Sequence, residues 1–115
     1  MNRIKNLKQY PSSPGTLPTL ENLKQRATSG RAADVDFLME NLDQSRTHSH
    51  CKVIDFALSL VSSTEGQARI GHFLFNGSQV QRNYAALYFK RRGDAHVIDE
   101  AVQRGCIDEI QGYST

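Results

Sequence analysis

Much that would assign a reaction is missing from this chain. It has no G-x-S-x-G elbow, no H-E-x-x-H, no phosphate-cradling glycine loop and no dinucleotide fingerprint, so none of the local signatures of a catalytic site is present. Only two cysteines occur, Cys51 and Cys106, far apart in sequence and suited to a role as small buried hydrophobes in a reducing compartment. No stretch approaches the roughly 20 apolar residues of a membrane span. The basic start from Met1 to Lys8 is not followed by the apolar region that a secretory signal needs. These absences lead to the expectation of a cytoplasmic, non-enzymatic protein with no cofactor, no metal and no membrane partner.

A large charge of one sign is missing too: the net charge is only +2. Its distribution is less even than the total. Residues 1 to 31 carry +5, 32 to 60 carry −3, 61 to 93 carry +4 and 94 to 115 carry −4. A length of 115 residues and a hydrophobic fraction of 38% fit one domain with one modest core.

The stretch around which the rest is organised runs from Ser78 to Gly93. Ser78 and Gln81 form a capping-box pattern, Lys90, Arg91 and Arg92 sit where the helix dipole favours cations, and Gly93 supplies the stop. Helical spacing places Val80, Tyr84, Leu87 and Tyr88 on one face and Ala85, Ala86 and Phe89 on the other, so this helix is expected to pack on two sides.

Before it, residues 1 to 16 are basic and then rich in proline and serine, and read as an N-terminal arm or loop ahead of a single helical domain over 17 to 115. Pro18 suits the first turn of a helix that stops at Gly30. A second helix is expected from Arg31 to Leu42, with Asp34, Asp36, Glu40 and Asp43 mostly on its exposed side. Asp43 to Ser49 reads as a polar connection, followed by a helix whose rows are Cys51, Ile54, Leu58 and Val61, and Val53, Ala57 and Leu60. Thr64 and Gln67 give a second capping-box match for a helix stopping at Gly77. Asp94 is expected to cap Ala95 to Arg104, Gly105 to end it, and Cys106 to Gln111 to add a last helical turn. No run alternates as a strand requires. The fold class is therefore all-α, a short α-solenoid or irregular bundle of six to seven helices.

A weak internal repeat favours the solenoid. A shift of 28 residues places Ile70, Phe73, Leu74 and Gly77 over Ile98, Ala101, Val102 and Gly105, and a shift of 29 places Ala57-Leu58 over Ala86-Leu87. Helix pairs of this length, each with an open apolar face, are units of such stacks. The row V-Q-R-N-Y-A-A-L-Y-F resembles the second helix of a HEAT-like repeat through Arg82, Ala85 and Ala86, with Phe89 where that row has leucine. The row A-V-Q-R-G-C-I-D-E-I resembles the G-x-I-x-x-L join of armadillo repeats through Gly105, Ile107 and Ile110.

Three groups of residues are candidates for a site. His48, His50 and Cys51 offer three zinc ligands within four positions, which would need Cys106 to complete a tetrahedral set. Arg69, Arg82, Lys90, Arg91 and Arg92 could form a stripe for phosphates, with Tyr84 and Tyr88 near enough to stack on bases, although flanking acids oppose a long polyanion. The acidic residues make the preferred surface: Asp94, Asp99, Glu100, Asp108 and Glu109 in the last two helices, and Asp36, Glu40 and Asp43 in the second. Such a surface is complementary to a basic protein.

In size and character the chain is similar to the all-helical immunity proteins of bacterial toxin systems, including those of contact-dependent growth inhibition. That similarity implies occlusion of a basic toxin domain, such as a nuclease, by acidic side chains standing in for the nucleic-acid backbone. The alternatives are a HEAT-like adaptor within a larger assembly and a helical repeat that binds nucleic acid.

Overall fold

The computed structural model describes residues 19–43 and 46–113. Among these residues there are seven α-helices: α1 Leu20–Ser29, α2 Ala32–Glu40, α3 His48–Leu58, α4 Thr64–Asn76, α5 Gln79–Arg92, α6 Ala95–Gln103 and α7 Glu109–Tyr113. No strand occurs among the described residues. The expected arm over 1 to 16 and the role of Pro18 lie outside them.

Helix ends follow local chemistry where it is unambiguous. The hydroxyl of Ser78 accepts the Gln81 N–H while the Gln81 side chain accepts the Ser78 N–H, and Gly30 and Gly93 end α1 and α5 in the left-handed region. Elsewhere the ends differ from expectation. α4 is capped by Ser63 and not by Thr64, because the Ser63 hydroxyl accepts from Gly66 N–H at 2.9 Å and also donates to the Gly30 carbonyl at 2.6 Å. The Gln67 side chain turns instead to the Ser62 carbonyl. Gly77 ends α4 in extended backbone, φ −77°, ψ 179°. Asp94 occupies the cap position of α6 without a side-chain capping bond. α3 starts at His48 behind a Thr47 cap, inside the expected connection, and the last helix is displaced from Cys106–Gln111 to Glu109–Tyr113.

Packing alternates along the chain. α1 touches α3, α3 touches α5 and α5 touches α7, while α2 touches α4 and α4 touches α6; α4 against α5 is the largest junction between the two rows. The helices related by the 28- and 29-residue shifts are thus direct neighbours: α4 lies on α6 and α3 on α5. The core runs through Leu23, Leu38, Met39, Ile54, Leu58, Ile70 and Leu74 to Ala85, Ala86, Phe89, Ile98 and Ile107. α5 is indeed packed on two sides, but Leu87, Tyr84 and Val80 are only half-buried, whereas Tyr88 is buried and donates its hydroxyl to the Val61 carbonyl at 2.5 Å. Small Ala85 and Ala86 of α5 are both fully buried.

Three arginine–aspartate pairs join helices. Asp34 binds Arg26 of α1 at 3.0 Å, Asp36 binds Arg69 of α4 at 2.5 Å, and Asp55 of α3 takes both Nη atoms of Arg91 of α5 at 2.9 Å. Asp34, expected on the exposed side, is buried. The Ser29 hydroxyl, donating at 2.5 Å, holds its carboxyl below the usual range, helped by the charges of Arg26 and Arg31 against the opposing effect of burial.

Candidate docking surface

The candidate zinc ligands are put to other use. The His50 ring is buried and donates through Nε2 to the Asn41 carbonyl at 2.7 Å, tying the start of α3 to the end of α2. Cys51 is buried in the core, whereas the Cys106 thiol, at the other end of the chain, faces the Phe75 carbonyl at 3.7 Å. Among the described residues no three His, Cys, Asp or Glu side chains converge as a metal cluster.

The basic stripe is largely drawn into the fold. Arg69 and Arg91 are paired with Asp36 and Asp55. Arg82 donates Nη1 to the Gly77 carbonyl at 2.9 Å, and its Nε is buried without a partner among the described residues. Lys90 donates to the Gln111 carbonyl at 2.9 Å, and the Arg92 guanidinium lies 5.3 Å from the centre of the Tyr88 ring. Tyr88 is closed to base stacking, since its ring is buried; burial pushes its phenol upward, and burial with Cys51 and Asp55 nearby does the same to Tyr84.

The acidic residues divide. In α2, Asp36 is half-buried and paired, and only Glu40 and Asp43 of that group are exposed, lining a shallow groove of about 450 Å³ with Leu42, Ser78 and Val80. At the other end Asp99, Glu100, Asp108 and Glu109 are exposed and Asp94 is half-buried. Glu100 pairs with Arg104 one turn on at 2.5 Å, a contact on the surface that contributes little. Asp108 accepts the Gln111 N–H at 2.7 Å and so starts α7.

The C-terminal carboxylates border two different hollows. Asp94 and Asp99 line a groove of about 270 Å³ with Lys90, Ala95, Ile98 and Tyr113. Asp108 and Glu109 border a separate, more polar cavity of about 490 Å³ with Gln79, Arg82 and Asn83. α7 contributes to both, and its position is held by the bond between the Gln111 and Asn83 side chains and by Gly112, where a Cβ would come within 2.6 Å of Val102 Cγ2.

Tyr113 belongs to this surface although no local spacing pointed to it. Its exposed hydroxyl donates to Asp99 Oδ1 at 2.9 Å, and this bond to a carboxylate raises the phenol above its ordinary value. Beside it Ile110, read as part of an apolar join, is 79% exposed. Acidic and apolar side chains therefore share the α6–α7 end. No helix among the described residues is long and apolar enough to cross a membrane. No family model, no curated protein and no solved structure matches the chain.

Proposed function

We propose that this chain is a non-enzymatic binding module, an immunity protein that covers a basic toxin domain with its acidic α6–α7 end. The observation that carries the reading is the contrast in how charges are used: Arg26, Arg69 and Arg91 are held by aspartates between helices, while Asp99, Glu100, Asp108 and Glu109 remain at the surface beside exposed Ile110 and Tyr113. Carboxylates placed this way steer a cationic partner and reject an anionic one. The architecture is that of a short HEAT-like α-solenoid, a reading supported by the odd-with-odd and even-with-even helix contacts and by the stacking of the repeat-related helices.

The test is protection. A toxin encoded beside this gene should be neutralised on co-expression, and reversing Asp99, Glu100 and Asp108 to lysine should abolish protection and slow association most at low salt while the helical signal persists. Full protection by the folded triple variant sinks the reading.

An adaptor is the second reading. The groove bearing Glu40 and Asp43, built from the end of α2 and the start of α5, favours it because no residue of α6 or α7 lines it. Simultaneous binding of two proteins, one lost on reversing Glu40 and Asp43 and the other on reversing Asp99 and Glu100, would establish it.

A further inference from the structure

Resting on the reading of the α6–α7 end as the face for a basic protein, the geometry points to one arginine side chain of that partner as the occupant of the groove between α6, α7 and the end of α5. At about 270 Å³ the groove suits a single long side chain better than a small-molecule ligand, whose pockets begin near about 300 Å³ and enclose what they bind. Its lining is mostly apolar, with Ala95, Ile98 and the Tyr113 ring offering a bed for an aliphatic stem. Two carboxylates, Asp94 and Asp99, wait for its head. Asp94 makes neither a capping bond nor an ion pair among the described residues, and Asp99 uses one oxygen for the Tyr113 hydroxyl, which leaves the other for an incoming donor.

Lys90 is the cation in the lining and donates to the Gln111 carbonyl; with two carboxylates against it the lining keeps a net negative charge. Arginine fits this arrangement better than lysine. Its planar guanidinium can lie on the exposed Tyr113 ring while presenting paired N–H groups to a carboxylate, and it gives up its hydration more readily than an ammonium.

Blocked arginine, N-acetyl-arginine-N-methylamide, is the probe, titrated into the isotope-labelled full chain with blocked lysine and blocked glutamine as comparisons. The backbone signals of Gly93, Ala95 and Gly112 should shift saturably with arginine, less with lysine and not with glutamine. Asp99→Asn should weaken the response by about fivefold, the scale of an exposed charge pair. Ala95→Trp, which fills the groove and removes no charge, should abolish it.

Shifts spread equally over Glu40, Asp43, Asp108 and Glu109 would overturn the proposal, as would a response unchanged in Ala95→Trp. The toxin assay separates this proposal from the reading beneath it. If the lysine triple variant loses protection and Ala95→Trp keeps it, the acidic face docks the toxin but the groove is not used, and only the arginine proposal falls. If the triple variant protects while the groove still binds arginine, the immunity reading falls and the groove remains an arginine site.

Discussion

The first four helices and the last two are built differently. All nine of the largest fully buried side chains, from Leu23 to Leu74, lie in α1 to α4 and the turns between them. α6 and α7 together bury Ile98, Ala101 and Gly112, with Ile107 in the turn between them, and are placed largely by polar bonds: Lys90 to Gln111, Asn83 to Gln111, Tyr113 to Asp99. α7, of five residues, exposes two of the four large apolar side chains that face solvent among the described residues. The first region is held by its interior. The second is held at its edges and presents its side chains outward.

The largest effect should come from emptying the interior. Leu74→Ala removes a fully buried side chain of α4 and should cost about 2 to 5 kcal/mol in urea unfolding. Leu87→Ala, at a half-buried position of α5 that the two-faced spacing would place in the core, should cost less than half as much. Equal losses would mean that the half-buried face of α5 is packed as firmly as the interior of α1 to α4, and the firm interior would not be confined to the first region.

A smaller change is expected at Asp34. Its replacement by asparagine removes the carboxylate that receives Ser29 and Arg26 and should cost about 1 to 3 kcal/mol at neutral pH. Because the folded carboxyl titrates below its ordinary value of 3.8, its contribution is complete above that value and is lost as pH falls through the lower, folded one. Parent and variant should therefore converge in stability below about pH 4, and a gap that stays constant into stronger acid would assign the loss to something other than charge.

The smallest effect belongs to the α6–α7 edge. In Asp99→Asn the Tyr113 phenol should titrate lower than in the parent, near the ordinary value of about 10, while Tyr84 and Tyr88, raised first by burial, keep their positions in a tyrosinate absorbance titration. Movement of Tyr88 instead would show that the edge and the interior are not separate.

What the sequence made legible divides in a similar way. The Ser78–Gln81 box and the stops at Gly30 and Gly93 were readable because each involves atoms within a few residues. The cap of α4 was displaced by one residue because Ser62, Ser63 and Thr64 offer equivalent local acceptors, and the choice falls to Ser63 through a bond to Gly30, 33 residues away. Asp34 looked like an exposed carboxylate because periodicity within α2 does not include the side chains that α1 brings to it. Sequence order could not show that Asp94 and Asp99 border one groove and Asp108 and Glu109 another cavity.

The Ser63 hydroxyl has a wider consequence than the identity of a cap. It accepts from the first turn of α4 and donates to the carbonyl that closes α1, and Glu65 two residues on accepts the Ala32 N–H at 2.8 Å, so the corner between α1 and α2 and the corner between α3 and α4 share their fastenings. Gly30 leaves no room for a side chain there, since a Cβ would lie 2.4 Å from Ser63 Oγ. Neither corner can open without stripping hydrogen bonds from the other. The first two helical hairpins are thereby fastened to each other at their corners, so that freeing α1 also costs bonds at the start of α4.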